Sequence, residues 1–154
     1  MKTFDIVIPV TFCALHELDE QEQQLVAAAN KARSRAYAPF SQFKVGVALR
    51  LENGETVAGS NQENEAFPSG MCAERVALFY ANSQYPKSAI VAIAVAATTT
   101  EPVCICGACR QALLQSERRY GKKIKVLMVA GKIVQIVNSV EELLPLSFRL
   151  SSKI

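Results

Sequence analysis

Two short stretches of this sequence gather side chains that can do chemistry. Cys72-Ala73-Glu74-Arg75 places a carboxylate two positions after a thiol, and Cys106-Gly107-Ala108-Cys109-Arg110-Gln111 places two further thiols three positions apart. A spacing of three is close to one helical turn, so a helix opening at Cys106 carries both sulfurs on one face. A second helix opening at Cys72 aims another N-terminus at the same point, and the unpaired N–H groups at helix starts favour thiolate over thiol. Three thiolates suit one zinc ion. Three protein ligands leave the fourth tetrahedral position open, which is the pattern of a catalytic rather than a structural site. The thiolates outweigh the metal's charge, and Arg75 or Arg110 can offset the excess by hydrogen-bonding sulfur. Glu74 is then a carboxylate beside a metal that activates water. A structural zinc would need a fourth ligand, and Cys104 is the obvious spare thiol, although sharing one metal with Cys106 requires a tight loop. Taken alone, Glu74 would also serve as a first-turn carboxylate favouring a helix N-terminus.

The elements that must position these residues can be read from hydrophobic spacing. Residues 19–36 predict a helix: Asp19 with Glu22 forms a capping pair, Leu18, Leu25, Ala29, Ala32 and Ala36 share a narrow alanine-rich face, and Pro39 stops it. Residues 43–51 alternate as a strand, with Phe43, Val45, Val47, Leu49 and Leu51 on one face and Gly46 and Ala48 leaving room for close approach on the other. Asn53-Gly54 signals a hairpin whose return strand is 55–60. A polar loop, 61–70, leads into a helix from Cys72 to about Ala81, with Ala73, Val76, Ala77 and Tyr80 on one side. Residues 89–97 form an apolar run expected of a strand covered on both faces. A helix over 107–119, strands over 124–130 and 132–137 about Gly131, and a short helix opened by Ser139-Val-Glu-Glu142 and stopped by Pro145 complete the chain. This order predicts an α/β fold, a three-layer α/β/α sandwich with a mixed five-stranded sheet, and residues 1–154 as a single domain with 1–16 as an N-terminal arm or strand. Both cysteine motifs fall beyond strand ends, where helices begin and ligands collect.

Composition narrows the function. The chain has 154 residues, half of them apolar and a fifth charged, with a net charge of +3. That mild balance lacks the electrostatic footprint of a nucleic-acid binder and suits a small, nearly neutral ligand. No apolar run is long enough to span a membrane. Residues 6–15 are interrupted by Pro9 and followed by no cleavage site, so they are read as mature chain. Five cysteines, an odd number with Cys13 standing apart, argue against a disulfide scaffold and for a reducing cytoplasm.

The pairing of Cys-Ala-Glu with Cys-x-x-Cys resembles the zinc-dependent nucleobase deaminases, in which a glutamate that is not a ligand shuttles protons to and from a zinc-activated water. Gly59-Ser-Asn-Gln-Glu-Asn64, Phe67-Pro-Ser-Gly70 and Cys72-Ala-Glu-Arg75, in that order, resemble the small homotetrameric cytidine deaminase family, which acts on free nucleosides. Ala36-Tyr-Ala-Pro-Phe-Ser41 with Phe43-Lys-Val-Gly-Val47 is similar to that family's early segment, and Glu142-Leu-Leu-Pro-x-Ser-Phe148 to its C-terminal end. The resemblance implies Cys72, Cys106 and Cys109 as ligands of one zinc per subunit, Glu74 as proton shuttle, and Arg75 as support to the thiolates. It also implies Asn61 and Glu63 as holders of the ribose hydroxyls and Phe43 and Phe148 as ring-stacking residues. Phe148, Phe67 and Glu65 are the candidates to be lent between subunits of a homotetramer. The sequence departs from the family in three places: Ile105 replaces a proline before Cys106, Glu65 an alanine, and Phe67 a tyrosine whose hydroxyl could meet the sugar's 5′ end.

The implied reaction is hydrolytic deamination of cytidine and 2′-deoxycytidine to uridine and 2′-deoxyuridine with release of ammonia. A sister deaminase of another small aminopyrimidine, of the blasticidin type, shares the metal motifs but lacks the Asn-x-Glu-Asn loop. A polynucleotide-editing deaminase is disfavoured by the charge, and a non-catalytic zinc module would need a fourth protein ligand.

Overall fold

The computed structural model describes residues 1–150. A mixed sheet is formed by β1 (Thr11–Ala14), β2 (Val45–Leu51), β3 (Thr56–Ser60), β4 (Ile90–Ala97), β5 (Lys125–Ala130) and β6 (Ile133–Val137) in the order β1-β6-β5-β4-β2-β3. Three helices pack on it: α1 (Glu20–Arg33), α2 (Ala73–Gln84) and α3 (Gly107–Tyr120). Among the six described strands only the pair β4 and β5 runs parallel, and α3 is its crossover. The α/β class and the layering follow the sequence expectation; the strand count does not. The sheet has six strands instead of five because Thr11–Ala14 pairs antiparallel with β6, Thr11 opposite Ile136 and Ala14 opposite Ile133. Pro9, which has no N–H to give a ladder, stands two residues before the pairing begins, and residues 1–10 are exposed.

The two faces of the sheet are built differently. Val47, Leu49, Ile93, Val95, Val126 and Met128 turn one way and are buried with α2 and α3. Ala48, Ala92, Ala94 and Ala96 turn the other way, under Leu25, Val26 and Ala29 of α1. Strand periodicity thus sorts the side chains of β2 and β4, bulky to one face and alanine to the other, while Leu127, Val129, Val134 and Ile136 of β5 and β6 fill the rest of the second face. The alanine layer lets α1 lie close. A Cβ at Gly46 would stand 2.1 Å from the Ala29 carbonyl oxygen and 2.3 Å from the Arg33 nitrogen, which explains the small residues anticipated on that face of β2. Gly59 does the same for α2, whose Ala73 carbonyl would lie 2.9 Å from an added Cβ. The helix that begins at the first cysteine motif is therefore seated directly on β3.

Helix boundaries follow local chemistry. Asp19 caps α1 by accepting the Glu22 N–H at 2.8 Å, and the helix ends at Arg33, short of the expected Ala36. The buried stripe of α2 is Ala73, Glu74, Ala77, Leu78 and Ala81, so Tyr80, expected on the inner side, is exposed. The C-terminal helical piece is a single 3-10 turn, Val140–Leu143. Ser139 accepts the Glu141 N–H there, while Glu142 reaches back to the Asn138 N–H, one residue earlier than the expected capping box. Arg118, Arg119, Lys122 and Lys123 gather about the C-terminal end of α3, where positive charge meets the negative end of the helix dipole. No helix among the described residues is long and apolar enough to cross a membrane.

Gly46→Ala forces a methyl group into the α1 backbone, a contact that no rotamer change relieves. The expected loss is about 3 kcal/mol of unfolding free energy, read from the urea midpoint. A loss near zero would mean that α1 does not rest on this residue.

Candidate metal centre and active-site crevice

Cys72 is the N-cap residue of α2 and Cys106 that of α3, both extended in backbone conformation, and Cys109 lies fully buried in the first turn of α3. The three sulfurs lie within 4.8 Å of one another, and Cys72 Sγ is 3.9 Å from Cys106 Sγ. Two sulfurs bound to one tetrahedral zinc at ~2.3 Å stand ~3.8 Å apart, which the Cys72–Cys106 pair matches, and Cys109 lies near enough to complete the set. Cys104 is not one of the group; it is exposed and lines the adjoining slot.

The electrostatics of the donor set point the same way. Burial and the neighbouring Glu74 carboxylate push the Cys109 thiol far up from its ordinary range. Cys106 is also opposed by burial, but the Cys109 N–H and the two other thiols bring it below its usual value. Burial raises Glu74, which is 6% exposed, against the pull of its own backbone N–H, the Arg75 charge and the Cys109 thiol. Acidic groups crowded in this way call for a cation at their centre. Of the two candidate arginines, Arg75 reaches sulfur, with Nη2 3.8 Å from Cys72 Sγ. Arg110 does not: its guanidinium donates to the carbonyls of Ile105 and Leu143.

Two cavities meet at Asn61 and Cys72. The smaller, about 180 Å³, is an apolar slot between Phe43, Val45, Val95, Ala97 and Val103, with Glu74 and Cys106 in its lining. It lies where β4 ends and β2 begins, Val45 being paired with Ala97. The larger, about 570 Å³, is open and brings the polar groups of Ser41, Gln62, Glu63, Asn64 and Arg75 into a lining shared with Phe40, Phe67 and Met71. A flat ring would enter the first and a hydroxylated group the second.

Asn61 and Glu63 line the larger chamber and are themselves already bonded. Asn61 Oδ1 accepts the Val45 N–H at 2.8 Å and its Nδ2 donates to the Phe43 carbonyl at 2.8 Å, so one amide locks the start of β2. Glu63 accepts the N–H groups of Phe40 (2.8 Å) and Ser41 (3.2 Å) and the Ser41 hydroxyl. It thereby organises a turn in which Gln42 has φ of 58° and from which Phe43 enters the slot. These bonds, the Ser41 hydroxyl first among them, hold Glu63 below the usual carboxylate range. A carboxylate has about four acceptor sites and an amide group two donors and two acceptors, so both residues keep capacity for a ligand hydroxyl.

The aromatic residues divide. Phe43 is in the slot. Phe67 lies at the larger chamber, 74% exposed, edge-on to Phe40 with ring centres 5.9 Å apart. Phe148 is not brought to the site within one chain: its carbonyl accepts from Arg118 at 3.0 Å, and Arg118 lies nine residues beyond Cys109, or ~14 Å along the helix axis. Glu65 is exposed and lines neither cavity. Residues that the sequence did not single out also take part. Ser41 and Phe40 are held by Glu63, and Val95 and Val103 wall the slot. The strand periodicity of 89–97 could have marked Val95, whereas nothing local marks Ser41.

Comparison with known proteins agrees with this geometry. Residues 19–127 match the family described as cytidine and deoxycytidylate deaminase zinc-binding region. The chain is 42% identical to a cytidine deaminase of Halalkalibacterium halodurans over 126 residues, 82% of this chain and 92% of that one. It is 46% identical to a cytidine deaminase of Sporosarcina psychrophila over 93 residues, 60% of this chain and 68% of the relative. Among solved structures, cytidine deaminase from Burkholderia pseudomallei superposes with a TM-score of 0.73 at 36% identity, covering 85% of this chain and all of that one. The enzyme from Mycobacterium tuberculosis superposes with a TM-score of 0.71 at 28% identity, covering 86% and 100%. With the sulfur triad inside the matched residues, the chain belongs to the cytidine and deoxycytidylate deaminase family and carries its zinc-binding region.

Proposed function

We propose that this protein hydrolyses cytidine and 2′-deoxycytidine to uridine and 2′-deoxyuridine with release of ammonia, in pyrimidine salvage. The observation that carries the proposal is the meeting of a buried carboxylate, Glu74, with three thiols beside one apolar slot. Held by Cys72, Cys106 and Cys109, zinc supplies the Lewis acidity that makes water a nucleophile at neutral pH. The chain's own residues do the rest. Phe43 and the valine walls take the pyrimidine ring and exclude bulk water, and Asn61 and Glu63 take the sugar hydroxyls. Glu74 accepts a proton from the attacking water and delivers it to ring N3, which makes C4 electrophilic. The hydroxide that remains adds to C4, and Glu74 then takes the proton of that new hydroxyl and passes it to the departing amine, so that ammonia leaves and C4 becomes a carbonyl, the carboxylate acting as base and afterwards as acid. Burial suits that alternation, because a desolvated carboxyl gives and takes protons more evenly than an exposed one. Arg75 stabilises the Cys72 thiolate. The assembly we infer is a homotetramer in the cytoplasm, with Phe148 and Phe67, both largely exposed in one chain, completing neighbouring sites.

Glu74→Gln is expected to keep one zinc per chain while kcat falls by about three to four orders of magnitude, measured by metal analysis and the ultraviolet change on deamination. Near wild-type turnover would remove Glu74 from this role. On a nucleoside panel, cytidine and deoxycytidine should be consumed and blasticidin S not, and a chelator should abolish turnover until zinc is restored. Consumption of blasticidin S alone would assign the site to another aminopyrimidine.

Glu63→Gln should raise KM about tenfold with a smaller effect on kcat, because the turn behind Phe43 and the hydroxyl site both loosen. The pH dependence has a definite sign. Glu63 is held down, so the turn is firm above the ordinary carboxylate pKa and slackens as pH falls through the lowered value. KM should therefore climb at that acid edge in the wild type and not in Glu63→Gln; parallel profiles would exclude Glu63 as the cause.

A further inference from the structure

Arg110 follows a thiol directly yet touches no sulfur. Its half-buried guanidinium lies between two carbonyls from distant parts of the chain: Nε donates to Ile105 at 2.5 Å and Nη1 to Leu143 at 2.9 Å. Ile105 is 1% exposed and immediately precedes Cys106, and Leu143 is the last residue of the C-terminal 3-10 turn. Seven residues on, two turns along the same face of α3, Glu117 holds the other end of that turn. Its buried carboxylate accepts the N–H groups of Val140 (2.9 Å) and Glu141 (3.3 Å) and the Ser139 hydroxyl at 3.1 Å from each oxygen.

The charges match what they hold. Free N–H groups at the start of a helical turn meet a carboxylate, and a free carbonyl at its end meets a guanidinium. The 3-10 turn is thus strapped antiparallel along α3. One strap continues past the turn to the backbone that presents Cys106. The divided donors of a guanidinium suit two separate acceptors; a lysine offers a single point of attachment.

We propose that Arg110 is a positioning residue for the metal centre, tying the loop that carries Cys106 to the C-terminal turn and so setting how firmly the thiolates retain the metal. The proposal rests on the reading that these thiols hold zinc. Ile105 stands where a proline would stiffen the backbone covalently, and the Arg110 bridge supplies that stiffness by hydrogen bonding. A residue that merely held the tail would affect thermal stability and leave metal retention alone.

The test is the rate at which zinc-loaded protein gives up its metal to 4-(2-pyridylazo)resorcinol, followed alongside the melting temperature. Arg110→Met should release zinc about 10- to 100-fold faster than wild type, the usual effect of removing a group that orients a ligand, and Arg110→Lys should recover part of that loss. Release from Arg110→Met at the wild-type rate, whatever its melting temperature, overturns the proposal. If Arg110→Met does not fold, Glu117→Gln decides. It slackens the far end of the same strap without altering any group near the sulfurs, so faster release supports the coupling and wild-type release overturns it. Failure of wild type to bind one zinc through its thiols would instead sink the metal reading, a distinct result.

Discussion

Mutual repulsion among acidic groups is the constraint around which this molecule is arranged. Three thiols and a buried carboxylate crowd one point, where burial and the neighbouring acidic groups push the Cys109 thiol far up and burial raises Glu74. Such a cluster survives only where positive potential converges on it. Here the starts of α2 and α3 both point at it, Arg75 lies against one sulfur, and a divalent cation completes the balance. Much of the fold serves to bring those two helix starts together. Gly59 lets α2 settle onto β3, and the β4–α3–β5 crossover delivers the other two thiols to the same end of the sheet.

The sheet's unequal faces serve the same end. The face toward α2 and α3 is filled with valine, isoleucine, leucine and methionine, which fixes the depth and tilt of the helices that bear the donors. On the other face β2 and β4 offer only alanine and glycine to α1, so that helix lies close over them, while Leu127, Val129, Val134 and Ile136 fill the β5–β6 side. The apolar slot is the margin of the bulky face, where half-buried Val45 and the buried Val95 and Ala97 reach the edge of the core. Substrate recognition of the kind proposed therefore uses the same side chains as the core, a few residues further along.

How much of this could be read from the sequence depends on how local each signal is. The thiol triad and Glu74 were legible because both motifs sit within single helix starts, where spacing alone decides which side chains share a face. The central strands were legible from their apolar runs. Residues 1–16 read as an arm or a strand, and β1 stayed outside the five-strand count, because four pairing residues inside an extended apolar stretch carry no period of their own; β6, more than a hundred residues away, decides which of them pair. Tyr80 shares a side with Ala73 and Ala77 yet is exposed, because the alanine line Ala73–Ala77–Ala81 is flanked by Glu74 and Leu78 on one edge and by Val76 and Tyr80 on the other, and the sheet decides which edge is covered. The backbone bonds made by Asn61, Glu63 and Arg110 were invisible, since a side chain's hydrogen-bond partner 16, 23 or 33 residues away leaves no mark on local spacing. Phe148 lay beyond reach for a different reason: within one chain it is held at the far end of α3.

The donors of the sulfur triad come from two helices with β4 between them in the chain. No fragment short of the helix–strand–helix unit holds the set, and the unfolded chain presents it only by chance. An ion that prefers the finished arrangement therefore acts as a clasp on the folded state. Its contribution grows with the logarithm of its free concentration. The population of intact protein is in this way tied to the supply of zinc in its surroundings, and the enzyme's lifetime becomes a gauge of metal availability as well as of sequence.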